Sequence, residues 1–223
     1  MQKFDTPATV TAVLDVPAGR IQLIAADRTD TTVEVRPVDA ARSRDVKAAE
    51  EMKVGYGDGV LRIEAPEPKN RLLGHSGSVE ITVQLPAGSR VEAKAASAEL
   101  RGVGRLGDVT FEGAQGTVKL DETAHARLTL QAGDIQVGRL GGPAEIRTQK
   151  GDLRITEAVR GTVTLRTEYG EIQIGAARGV SATLDAGTGH GRIDNALMNT
   201  DGAAAGLSIH ATTAHGDITA RTL

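Results

Sequence analysis

The segment Arg127-Leu-Thr-Leu-Gln-Ala-Gly-Asp-Ile-Gln-Val137 decides the fold. It holds two short runs of alternating apolar and polar residues, Arg127-Leu-Thr-Leu130 and Ile135-Gln-Val137, joined through Gly133-Asp134. Alternation with a period of two, in residues rich in Val, Ile, Leu and Thr, marks a strand with one buried face. Both runs recur. The second is repeated as Gly116-Thr-Val-Lys-Leu120, Gly151-Asp-Leu-Arg-Ile155, Gly170-Glu-Ile-Gln-Ile174, Gly191-Arg-Ile-Asp-Asn195 and Gly216-Asp-Ile-Thr-Ala220, with an offset copy at Gly107-Asp-Val-Thr-Phe111. The first is repeated as Ala144-Glu-Ile-Arg147, Thr162-Val-Thr-Leu-Arg166, Ala182-Thr-Leu-Asp185 and Leu207-Ser-Ile-His210.

From Gly116 onward the repeat glycines are 17, 18, 19, 21 and 25 residues apart by their numbering. The strands stay constant while the link between them grows, from Gln131-Ala132 to Asp185-Ala-Gly-Thr-Gly-His190. Units this small cannot bury an apolar face alone, but stacked they share a continuous core. The expected fold is therefore all-β: a β-solenoid, or β-helix, with two short strands per turn and a period of about 18 residues. Equivalent side chains would lie about 4.8 Å apart along the stack. The inward row would be Ile135, Leu153, Ile172, Ile193 and Ile218, with Val137, Ile155 and Ile174 beside it. An antiparallel sandwich is the competing architecture.

Residues 1–88 read as an irregular β-strand part that caps the stack, and residues 89–223 as the repeats, within one continuous domain. Val16-Pro-Ala-Gly-Arg-Ile21 and Leu85-Pro-Ala-Gly-Ser-Arg-Val91 look like one strand-turn-strand element used twice. Between them, Ser43 to Met52 is the one good helix former, with Ser43 or Asp45 available as N-cap.

The composition fits this narrow column. Of 223 residues, 27 are Gly and 39% are hydrophobic, with two Phe, two Tyr, no Trp and no Cys. A thin aliphatic interior has little room for rings and needs glycine at its turns. Four scattered rings and a net charge of -3 argue against nucleic-acid binding, which uses aromatic platforms and a basic excess. Without Cys there is no disulfide, thiol nucleophile or Cys-based metal site. Residues 1–25 lack a basic start followed by an apolar run, and no stretch reaches the roughly 18 apolar residues of a membrane span, so the expected compartment is the cytoplasm.

The run Val79-Glu-Ile-Thr-Val-Gln-Leu-Pro-Ala-Gly-Ser-Arg-Val91, followed by serial Gly-Asp-apolar-polar-apolar units, resembles a bacterial candidate-adhesin family of β-strand-repeat proteins of unknown function. The resemblance spans nearly the whole chain. It implies a β-solenoid with a non-enzymatic role and carries over no catalytic residues. Many members of that family are membrane-tethered or envelope-associated, whereas this sequence shows no anchor.

Several residues invite a functional reading. Gly102-Val-Gly-Arg-Leu-Gly107 has the spacing of a dinucleotide fingerprint, but a strand rather than a helix follows, so it reads as a turn and no cofactor is expected. The residues after the repeat glycines, Asp134, Asp152, Glu171, Arg192 and Asp217, should form a polar ladder with Arg192 between Glu171 and Asp217. Such a row could hold calcium, yet the glycine-dense calcium nonapeptide is absent, and turn-forming Asp is the simpler reading. His190 and His215 should be neighbours in the stack, with Tyr169 and Lys150 at the preceding positions. No third ligand is evident, so no metal is expected. In the irregular segment Pro66 to Gly77, a candidate interaction loop offers Lys69, Arg71 and His75 beside Leu72 and Leu73; equally, those leucines could cover the first rung.

The expected function is a non-enzymatic scaffold or protein-interaction module. Because Gly216-Asp-Ile-Thr-Ala-Arg-Thr-Leu223 ends just after a repeat strand, a protein partner or self-association is expected at that C-terminal strand edge. The rivals are a carbohydrate-active β-helix enzyme, needing two carboxylates about 5 to 9.5 Å apart in a groove, and a metal- or ligand-sensing module using the ladder residues.

Overall fold

The computed structural model describes residues 1–66 and 77–223. The described chain is nearly all β. After β1 (Gln2–Asp5), β2 (Thr11–Ala26) and β3 (Asp30–Pro37) come α1 (Ser43–Glu51), β4 (Lys53–Gly57), β5 (Val60–Glu64) and β6 (Val79–Pro86). The repeats supply β7 (Arg90–Gln115), β8 (Val118–Ala132), β9 (Ile135–Leu140), β10 (Ala144–Arg147), β11 (Leu153–Ala158), β12 (Gly161–Tyr169) and β13 (Ile172–Ala176). They continue through β14 (Ala182–His190), β15 (Ile193–Ala196), β16 (Leu207–His215) and β17 (Ile218–Thr222), with a 3-10 turn at Gly202–Ala204.

From β7 onward the described strands pair in parallel, and pairing advances along the chain by one repeat at a time. Val118 sits beside Ile135, Ile135 beside Leu153, and Leu153 beside Ile172 on one face. On the other, Ala126 sits beside Ala144 and Ala144 beside Val163. Apolar side chains from both faces point inward and are buried from Val10 to Ala220 as one cluster. Keeping like residues in register stacks aliphatic on aliphatic, each contributing about 1.5–3 kcal/mol when fully buried.

At the C-terminal end the spatial order departs from chain order. β16 pairs with β12 on one side and β14 on the other, and β17 lies between β13 and β15. The rung made last in the chain therefore fills the slot between the two made before it. This corrects the expected open edge at Leu223: the C-terminal strand is paired on both sides, and the outermost rung is β14–β15. The physical reason is apolar content. The inward positions of β16–β17 (Leu207, Ile209, Ala211, Ile218, Ala220) are fully buried, whereas β15 is exposed throughout and Ile193 is 45% exposed. A rung with Gly187, Gly189 and Asn195 in its strands loses least by standing outermost.

The same arrangement occurs at the other end. β2 pairs in parallel with β7 and, on its opposite side, with β5 and β6. β4 and β1 then close this end as antiparallel strands against β5 and β3, and Phe4 meets Tyr56 across them with ring centroids 5.5 Å apart. Helix α1 packs on β3 and β6. Neither expected N-cap is used: Arg42 occupies that position without a side-chain bond, and Asp45, buried inside the helix, accepts the Ser78 N–H at 3.0 Å. The carboxylate thus ties the helix to the chain entering β6.

Candidate functional site

The turn glycines let the rungs approach closely. Gly133 has φ +135°, and a Cβ there would lie 1.6 Å from the Gly116 carbonyl oxygen. A threonine before the glycine fastens the same corner: Thr167 Oγ1 donates to the Gly151 carbonyl at 3.0 Å, Thr213 to that of Gly170 at 3.1 Å and Thr188 to that of Gly216 at 3.0 Å.

The acidic residues complete this corner. Asp134 Oδ1 accepts the Asp152 N–H at 2.9 Å, Asp152 Oδ1 the Glu171 N–H at 2.8 Å, and Asp217 Oδ1 the Arg192 N–H at 2.8 Å. Each carboxylate reaches one rung along and satisfies a backbone donor. The structure therefore brings the expected ladder together but changes its order, because Ile172, Ile218 and Ile193 are successive neighbours. Asp217, not Arg192, stands in the middle, and Arg192 lies outermost. Its guanidinium is 3.1 Å from Asp217 Oδ2. The Arg192 N–H and, secondarily, its guanidinium hold the Asp217 carboxyl below the usual carboxylate range.

The inserted rung reorders the histidine row too. His215 sits between Tyr169 and His190, with ring centroids 4.9 Å and 4.6 Å away and ring planes within 5° and 10° of parallel. Lys150 is next along, bridged to Tyr169. The three rings form a face-to-face stack, the row expected from the repeat register but with His215 rather than His190 next to Tyr169. Among the described residues no three His, Asp or Glu side chains converge as a metal site. Lys69, Arg71, Leu72, Leu73 and His75 lie outside the described residues.

A site that the motifs did not reveal lies around His125. Its Nδ1 is 2.6 Å from Asp108 Oδ1, the two residues being register partners on adjacent rungs. His125 lines two concavities, of about 340 and 480 Å³. Arg90 and Arg127 line the first, and Arg105 and Arg160 the second. Arg127 is held 3.6 Å from Glu145, which also pairs with Arg147. The neighbouring Thr123 hydroxyl is buried and lies within hydrogen-bonding distance of the Gly107 and His125 carbonyls, at 2.7 and 2.8 Å. The signal was present in the sequence: shifting His125 back by one repeat of 17 residues lands on Asp108.

No helix among the described residues is long and apolar enough to cross a membrane. Among solved structures, the chain is similar to a candidate adhesin of Bacteroides fragilis, at 13% identity over 98% of this chain and 95% of that one, with a TM-score of 0.58. Candidate adhesion proteins of Parabacteroides distasonis (12% identity, 98% and 95% covered, TM-score 0.43) and Clostridium sporogenes (13%, 100% and 98%, 0.40) also align. No curated protein matches the chain significantly. The family model described as Toastrack DUF4097 matches residues 13–222, nearly the full length of the repeat and its N-terminal closure, and the chain belongs to that family.

Proposed function

We propose that this chain is a non-enzymatic β-solenoid scaffold, with about 18 residues per turn, that binds a protein partner in an adhesin-like way. The observation that carries this reading is the set of four arginines, drawn from different rungs, that line the concavities on the Asp108–His125 pair. Arginine presents a planar fork of donors suited to carboxylates. Spread over several rungs along open concavities, the four match an extended, carboxylate-bearing protein segment better than a small molecule. The engagement of the Thr123 hydroxyl with two backbone carbonyls supports a binding role over nucleophilic chemistry. The candidate-adhesin names of the structural neighbours point the same way.

Titration of the chain against an array of acidic, neutral and basic peptides tests the reading. Saturable retention of acidic peptides is expected, weakened about tenfold or more in Arg90→Glu/Arg127→Glu through like-charge apposition. Equal retention by the variant would reject the groove as the binding surface. Release of reducing ends from a polysaccharide would instead favour the carbohydrate-active alternative.

A further inference from the structure

The two ends of the stack are finished differently. At the N-terminal end the antiparallel β1 and β4, the Phe4–Tyr56 contact and α1 close the column. At the other end the outer edge of β14–β15 has no further strand among the described residues. The connection from Leu197 to Gly206 reaches only its corner, where Ala182 N–H donates to the Met198 carbonyl at 3.0 Å and Ser181 Oγ accepts the Thr200 and Asp201 N–H groups, each at 3.1 Å. Along the inner rungs, the N–H groups of Gly170 and Ile172 donate to the rung ahead, as do those of Gly216 and Ile218. At Gly191 and Ile193 that succession stops. Ile193, which continues the buried row of Ile172 and Ile218, is 45% exposed, and Met198, in the connection that leaves β15, is 57% exposed.

We propose that this edge is covered by a second copy of the chain, joined two-fold through β15 in an antiparallel pair centred on Ile193. Charge and pleat select that register. With Ile193 opposite Ile193 of the second copy, Arg192 stands opposite Asp194 of the second copy and Asp194 opposite its Arg192, so two ion pairs flank an apolar centre. Centring on Arg192 sets arginine against arginine, and centring on Asp194 sets aspartate against aspartate. A shift by one residue places Ile193 opposite a charged residue of the other face and breaks the continuity of the core. Of the registers that keep Ile193 on the core side, this one alone sets Arg192 against Asp194. A two-fold pair uses the same edge on both copies and closes, whereas a head-to-tail filament would have to join β15 to the antiparallel β1 or β4 at the other end. This surface is separate from the His125 groove, and the inference does not rest on the function proposed for it.

Sedimentation of the full chain over a dilution series tests the proposal. A reversible dimer is expected. Asp194→Arg sets the introduced guanidinium of each copy against Arg192 of the other, and Arg192→Asp sets two aspartates together, so each variant alone should associate about tenfold or more weakly. An equimolar mixture of the two variants restores both opposite-charge pairs and should recover the wild-type association as a heterodimer. Amides from Gly191 to Ala196 should gain hydrogen-exchange protection as wild-type concentration rises, a readout that needs no variant. A wild-type monomer at every concentration, association indifferent to either variant, open-ended growth or no recovery on mixing would each overturn the proposal.

Discussion

At Gly133 the absence of a side chain sets how near two rungs can come. A Cβ would sit 1.6 Å from the Gly116 carbonyl oxygen, far inside contact distance, and the backbone there is at φ +135°. Neither burden can be relieved by turning a side chain, because the obstacle is backbone. Gly133→Ala should therefore cost more than about 3 kcal/mol, combining a clash with a backbone conformation that L-residues avoid. Gly187 is the control: no atom lies within 4 Å of where its Cβ would stand, so Gly187→Ala should change stability by no more than about 0.5–1 kcal/mol. Chemical denaturation of the two variants checks the contrast, and equal losses would contradict it. The glycines and acids were visible in the sequence, but the partner of each aspartate was not. Hydrogen bonds such as Asp152 Oδ1 to the Glu171 N–H run between rungs, and a sequence places those groups 19 residues apart.

Among the elements, β1 shows how one charged cluster holds a short strand. Among the described residues its four residues pair with β3 alone, and Asp30 at the end of that pairing receives Arg28 Nε at 2.9 Å and Lys3 Nζ at 3.1 Å. Those hydrogen bonds, Arg28 first and Lys3 second, lower the Asp30 carboxyl from 3.8 to about 2. A carboxyl whose folded value is depressed stabilises the fold fully above its unfolded value and loses that contribution as pH falls through the folded one. The attachment of β1 should accordingly weaken between about pH 4 and pH 2. Hydrogen exchange of the β1 amides, corrected for the intrinsic rate, should accelerate across that window in the wild type, with the step absent in Asp30→Asn. An equal step in both would refute the assignment. Helix α1 was legible from its composition, whereas its cap was not. Asp45 had the chemistry of an N-cap, but the chain entering β6 brings the Ser78 N–H to it, a long-range contact that outcompetes the local one.

For the whole molecule, rung order decides which residues carry stability. Ile193 and Ile218 occupy the same position in their repeats and read alike in sequence. In space Ile218 is enclosed by Ile172 and Ile193, while Ile193 has a strand neighbour on one side only among the described residues. Ile218→Ala should cost about 2–5 kcal/mol, as expected for a fully buried aliphatic. Ile193→Ala, measured on dilute protein where the proposed pair is dissociated, should cost less than about 1 kcal/mol. Folding in simple chain order makes the opposite demand, since Ile193 would then be the enclosed residue; reversed magnitudes in urea unfolding would contradict the observed order.

By itself the sequence determined the all-β class, the strand alternation, the inward aliphatic positions other than Ile193 and the family, because side-chain alternation and glycine spacing are local and recur along the chain. It also contained the offset that joins His125 to Asp108. The tertiary structure alone decided that β16–β17 enters between β12–β13 and β14–β15, and hence that Asp217 lies inside the polar ladder, His215 inside the ring stack and Ile193 at the edge. Each of these repeats can satisfy the same hydrogen-bond ladder in either slot. What separates the two orders is the apolar area of each rung summed over both of its neighbours, a difference that exists only once the rungs are stacked.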